Sequence, residues 1–207
     1  MIKAVLWDFG GVILSSPFDA FARWEAETGL PPGFLRTVNA VDHHGNAWAK
    51  LERSEIGLDE FCDLFESEAK ERGHVVDARQ VLALLYGDLR PQMVAALRRC
   101  KEHYKLGLLT NNIAIAEPGT RGDLAEVLAL FDAILESSKL GIRKPEPRFY
   151  ELACELLGVE PHEAVFLDDL GVNLKPARAM GMTTIKVADP DDALQELEQV
   201  LGISLLD

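Results

Sequence analysis

The chain has 207 residues, 48% of them hydrophobic and 27% charged, which suits an ordinary globular protein of one domain with a sizeable insert or of two small domains. A formal charge of −13 opposes binding to nucleic acid or to an anionic membrane surface, both of which attract basic patches. No apolar run approaches the roughly 20 residues of a membrane helix, Met1-Ile2-Lys3 shows no signal-peptide pattern, and cytoplasmic residence is expected.

The first element is Lys3-Ala-Val-Leu-Trp-Asp8-Phe-Gly-Gly-Val-Ile-Leu14, an apolar run closed by one aspartate and followed by two glycines that let the backbone turn. Such a run reads as a buried parallel strand, and ligands of open α/β sheets bind just beyond the carboxyl ends of these strands. Asp8 stands at such an end. On this stretch alone the plainer reading is an aspartate that caps a turn.

Residues 15 to 90 carry helical periodicity throughout. Phe18, Phe21, Ala22 and Trp24 suggest a first helix after Ser15-Ser16-Pro17, interrupted by Pro31-Pro32. Asn46 to Leu51 suggest a short helix, Leu58, Phe61, Leu64 and Phe65 another, and Val81, Leu82, Leu84 and Leu85 one more. Helices without strands inside an α/β chain imply a segregated layer, here a cap over the sheet. Trp24, Trp48 and Phe61 read as packing residues, with a pocket-lining role the alternative for Trp48. His43-His44 have no third ligand at metal spacing and read as loop histidines.

From Leu89 strands alternate with helices. Pro91 opens a helix with Met93, Leu97, Cys100 and Tyr104 as its apolar stripe. Leu106 to Thr110 is a second strand, Ala114 to Gly122 an irregular loop, Leu124 to Leu130 a helix, and Phe131 to Glu136 a third strand. Lys139 to Lys144 form a loop, and Pro145-Glu-Pro147 opens a helix that buries Phe149, Leu152, Ala153, Leu156 and Leu157. Ala164 to Asp168 is a fourth strand, Asn173 to Met180 a helix, Thr183 to Val187 a fifth strand, and Asp189-Pro190 starts a last helix ending at Gly202. The alternation predicts an α/β fold with a doubly wound, parallel five-stranded sheet. Cys62, Cys100 and Cys154 are too scattered for a metal site and read as buried reduced thiols.

Four strand ends then share one edge: Asp8, Thr110-Asn111, the loop with Lys144, and Asp168-Asp169. Two carboxylates about 4 Å apart repel by about 4 kcal/mol at an effective dielectric near 20. A bound cation relieves this, and oxygen ligands select a hard one such as Mg²⁺. Lys144 adds positive charge where a phosphoryl group would sit, and Thr110 can hydrogen-bond a phosphate oxygen.

These residues, in this order, resemble the four motifs of the haloacid dehalogenase superfamily of hydrolases, with Asp8 at the nucleophile, Thr110 at motif II, Lys144 at motif III and Asp168-Asp169 at motif IV. KPEPRFY and VFLDDLGVNLKPARAMGM are similar to the N-terminal phosphatase domain of soluble epoxide hydrolases, and DFGGVI and LERSEIGLDEF to bacterial sugar-1-phosphate phosphatases of the superfamily. The resemblance implies a Rossmann-like core of residues 1–14 and 91–207 and a helical cap of residues 15–90. It implies a Mg²⁺-dependent phosphatase of small phosphomonoesters, sugar or other metabolite phosphates, working through an aspartyl-phosphate on Asp8. Mg²⁺ would be held by Asp8, the Gly10 carbonyl and Asp169, with Asp168 a supporting ligand or a group behind the ligands. Lys144 would neutralise Asp8 and phosphate, and Asn111 with the amides of Phe9 and Gly10 would bind phosphoryl oxygens. Epoxide hydrolysis is not implied.

One position departs from that pattern. Phosphatases of the superfamily usually carry a second aspartate two residues after the nucleophile as general acid and base, and here Gly10 stands there. A positioned acid or base is typically worth about 10²–10⁴-fold. A dehalogenase attacking carbon would not need that acid, although it also needs no Mg²⁺ and would leave Asp168-Asp169 without a cation. A degenerate module that binds phosphate or a partner is the third reading. The Asp-Phe-Gly triplet at Asp8 lacks the other segments of a kinase. The sequence leaves substrate identity and oligomeric state open.

Overall fold

The computed structural model describes residues 1–114 and 122–205. Its centre is a sheet of β1 (Ala4–Trp7), β2 (Lys105–Thr110), β3 (Ala133–Glu136), β4 (Ala164–Asp168) and β5 (Thr183–Lys186), all parallel in the order β3-β2-β1-β4-β5. The doubly wound α/β expectation holds. β1 pairs on both sides, with Trp7 opposite Leu108 and Leu167, so every residue of this strand is buried.

Side chains of a strand alternate between faces, and the two faces of this sheet bury different sets. Val5, Trp7, Val165 and Leu167 meet Met93 and Leu97 of α6 (Pro91–Lys101) and Leu194 and Leu197 of α11 (Pro190–Leu201). Ala4, Leu6, Ala164 and Phe166 meet Phe149 and Ala153 of α9 (Pro147–Leu157) and Leu174 and Ala177 of α10 (Gly171–Ala179). The continuous apolar runs are therefore two half-cores in one strand.

Between β1 and α6 lie α1 (Pro17–Thr28), α2 (Phe34–Ala40), α3 (Ala47–Glu52), α4 (Leu58–Lys70) and α5 (Ala78–Ala83). They enclose a third apolar cluster, in which Trp48 meets Phe61 edge-on at 4.8 Å and Phe61 stacks on Phe65 at 5.5 Å. The expectation omitted α2. Its start depends on a distant group, the buried Glu25 carboxylate, which accepts from the amides of Gly33 at 2.7 Å and Leu35 at 2.9 Å. The chain enters and leaves this layer side by side, Leu14 bridging Leu89 and the Ser15 amide donating to the Asp88 carbonyl at 2.8 Å.

Other differences are local. The third strand begins at Ala133 instead of Phe131, and the loop expected from Lys139 follows a single helical turn, α8 (Ser137–Leu140). The helix expected from Leu124 is α7 (Gly122–Leu128), and the irregular loop expected before it falls on residues 115–121, outside the described residues. All three cysteines are free and buried, and burial pushes the Cys100 thiol up to about 12. Among the described residues no helix is long and apolar enough to cross a membrane.

Phe61 is fully buried, so Phe61→Ala should lower the unfolding free energy by about 3–5 kcal/mol in urea titration. A loss below about 1 kcal/mol would mean that the helical layer has no packed core of its own.

Candidate active site

Because β1 sits between β2 and β4, the residues at their carboxyl ends become neighbours. Asp8 continues β1, its amide donating to the Leu167 carbonyl at 2.9 Å. The following turn, Phe9–Ile13, needs a glycine at one position. Gly11 has φ +77°, a region L side chains rarely adopt, and a Cβ there would lie 2.3 Å from Asp169 Oδ2. Arg90 secures the turn by donating to the Gly11 carbonyl at 2.7 Å.

Lys144 is fully buried, with Nζ 2.7 Å from Asp8 Oδ1 and 2.7 Å from Asp168 Oδ2. Asn111 fixes it from β2: its amide donates to the Lys144 carbonyl at 3.0 Å while its Oδ1 accepts from the Lys144 amide at 2.9 Å. Asn111, expected to bind phosphoryl oxygens, thus commits both ends of its side chain to the lysine backbone. The Phe9 amide, also expected on a phosphoryl oxygen, donates at 2.7 Å to Asp8 Oδ1. Thr110 and Gly10 line the cleft beside Asp8.

The three carboxylates differ in what remains free. Asp168 is fully buried and accepts from Lys144, from the Leu170 amide at 2.8 Å and from Asn173 Nδ2 at 3.0 and 3.1 Å. Asp8 spends Oδ1 on Lys144 and the Phe9 amide, and its Oδ2 has no hydrogen bond among the described residues. Asp169 faces the same point, and one oxygen from each of the three lies within 4.8 Å of the others. Three carboxylates against one ammonium leave net negative charge in a dry place. Burial first, then the neighbouring carboxylates, push the Asp8 carboxyl well above the usual range despite Lys144. The same causes push Asp169 up to about 6. Burial pulls the Lys144 pKa down, but Asp168 and Asp8 outweigh it and the pKa rises. An all-oxygen donor set with uncompensated charge fits a hard divalent cation, with Asp8 Oδ2 and Asp169 as the open donors.

Above this edge lies a cleft of about 590 Å³, lined from the helical layer by the apolar Phe18, Phe21 and Trp48 and the polar Arg36, Asn39 and His43. Sequence reasoning missed three of its supports. Asn173 holds Asp168; Ser137, fully buried, accepts from the Asn112 amide at 3.0 Å; and Glu52 meets Arg143 across the layers at 2.5 Å. Glu52 and Arg143 are 91 positions apart, so no local signal marks them as partners.

A family model described as haloacid dehalogenase-like hydrolase matches residues 2–181. The chain belongs to that family. Bifunctional epoxide hydrolase 2 of Sus scrofa is 35% identical over 99% of this chain, which spans only 40% of that protein's length. Phosphatase MT3486 of Mycobacterium tuberculosis is 30% identical, over 87% of this chain and 85% of its own. Among solved structures, a family enzyme of Bacteroides thetaiotaomicron in complex with magnesium and inorganic phosphate superposes with a TM-score of 0.58 at 23% identity, covering 90% of this chain and 94% of that one. The carboxylates that crowd at the sheet edge of this chain raise the pKa of Asp8 and of Asp169.

A carboxyl whose pKa rises on folding loses stability as pH rises from its unfolded to its folded value, because the native state binds the proton more tightly. For Asp169 that window runs from 3.8 to about 6. In chelator, Asp169→Asn should therefore be more stable than wild type at pH 7, by on the order of 2 kcal/mol, with the gap closing near pH 4. Denaturant titrations at both pH values measure this; a variant less stable at pH 7 would contradict the charge assignment.

Proposed function

We propose that the chain is a phosphomonoester hydrolase that works through an aspartyl-phosphate on Asp8. The observation that carries this is the uncommitted Asp8 Oδ2, held at the floor of the cleft by Lys144 and the Phe9 amide on the other oxygen. Oδ2 attacks phosphorus as the bond from phosphorus to the organic oxygen breaks. Water then attacks the phosphorus of the acyl phosphate and frees Asp8 and inorganic phosphate. Lys144 offsets the negative charge of Asp8 and of the phosphoryl oxygens, and Thr110 is a hydroxyl for one of them. Asn111 acts by fixing the lysine backbone.

Mg²⁺ would be held by Asp169, the Gly10 carbonyl and the Asp8 carboxylate, with Asp168 bracing the lysine behind them. When bound, it supplies positive charge that draws the phosphate to Asp8 and relieves the crowding of the carboxylates. A phosphatase relative and a related structure holding magnesium and phosphate support this reading.

Residues 15–90 would act as a cap over a core of residues 1–14 and 91–207, their side chains selecting a small phosphorylated substrate. The wall on that side is mixed, with Phe18, Phe21 and Trp48 for an apolar part of the substrate and Arg36, Asn39 and His43 for its polar groups. Three free thiols suit cytoplasmic residence.

Turnover of a phosphomonoester panel should vanish in chelator and return with Mg²⁺; full turnover in chelator would contradict the metal assignment, and release of halide from 2-haloacids without phosphate release would favour the dehalogenase reading. Asp8→Asn, nearly isosteric, should lower kcat at least about 10³-fold. Substantial residual turnover by the folded variant would sink the covalent mechanism.

A further inference from the structure

Gly10 leaves the site without the acid that would protonate the departing oxygen, and a Cβ there would meet nothing within 4 Å. Another group must stabilise that oxygen, and it must stand on the side of the phosphoryl group facing the helical layer, opposite Asp8. Arg143 and Lys144 are adjacent, yet their side chains diverge. Lys144 reaches down to Asp8 and Asp168, while Arg143 reaches across to the helical layer. Its Nε donates to Glu52 Oε2 at 2.5 Å and its Nη1 to the His43 carbonyl at 2.8 Å. Its Nη2 has no partner among the described residues, and the side chain, 14% exposed, lines the cleft. A guanidinium anchored on two of its nitrogens thus keeps a free donor edge in the cleft that Asp8 also lines.

We propose that Arg143 is a catalytic residue that hydrogen-bonds the departing oxygen, and that Glu52 positions it. This rests on the phosphomonoesterase reading. Arginine keeps its protons throughout the neutral range, so it stabilises the developing oxyanion without protonating it. As the bond from Asp8 Oδ2 to phosphorus forms, the ester P–O bond breaks and its electron pair stays on the leaving oxygen. Nη2 holds that oxygen until it takes a proton from water. The planar fork suits this task better than a lysine, because two anchors fix the direction of the remaining N–H bonds.

Single-turnover cleavage of substituted phenyl phosphates, graded by the pKa of the phenol, tests this on wild type, Arg143→Gln, Arg143→Lys and Glu52→Gln with Mg²⁺ present. The loss in each variant should grow with phenol pKa, reaching about 100-fold for the most basic phenol in Arg143→Gln and about tenfold in the other two. Plots of log rate against pKa therefore steepen. Parallel plots, with every ester slowed equally, would make Arg143 a strut between the layers and overturn the proposal. Glu52→Gln preserves side-chain volume, so its slope decides the matter if the Arg143 variants fail to fold. A wild type that cleaves none of the esters would overturn the phosphomonoesterase reading, and this proposal with it.

Discussion

The buried ammonium of Lys144 is held between Asp8 and Asp168, and the rest of the site depends on that contact. A lysine without solvent survives only where opposite charges meet it at hydrogen-bond distance, and removing one partner from such a pair typically costs about 3–5 kcal/mol. The strand order meets this need by placing the ends of β1 and β4 side by side. Neighbouring strands add the orientation: Asn111 after β2 grips the lysine backbone, and Asn173 on α10 grips Asp168. Tyr150 then donates to the Asn173 carbonyl at 2.7 Å, tying the polar cluster to the apolar face around α9.

That arrangement is deliberately unbalanced. Lys144 and the hydrogen bonds around it satisfy Asp168 and one oxygen of Asp8, and they leave the other oxygen and Asp169 facing the cleft. Gly11 allows this closeness, since any side chain there would displace Asp169. The crowding raises the protonation of Asp8 and Asp169 in the native state, which is a loss in stability at neutral pH. Such a loss is typical of a site prepared for a ligand that carries the missing charge. The helical layer supplies a wall of aromatic side chains interspersed with Arg36, Asn39 and His43, and Arg143 and Glu52 link it to the core.

Much of this was legible in the sequence because it is written locally. The buried strands appear as apolar runs; Asp8, Thr110 and Asp168-Asp169 sit where a run stops and Lys144 in the loop after β3, so topology gathers them at one edge. What escaped is what depends on distant partners. Glu52 belongs to a helix and Arg143 to a loop, and neither position carries a pattern that pairs them. Asn111 looks like a ligand from its place at a strand end; only the cross-strand geometry reveals that Lys144 uses up its amide. The start of α2 depends on Glu25 from the preceding helix, and a reading that stopped at Pro31-Pro32 had no reason to resume at Phe34.

The central claim is that Asp8 becomes covalently phosphorylated during turnover. Without an acid–base side chain at Gly10, the attacking water has no base there, so the acyl phosphate should persist long enough to trap. Acid quenching during turnover of an aryl phosphate, followed by mass spectrometry of the peptide containing Asp8, measures this directly. The account predicts a peptide heavier by one phosphoryl group, which hydroxylamine converts to the Asp8 hydroxamate with release of phosphate. Steady release of phosphate with an unmodified Asp8 peptide at every quench time would contradict it.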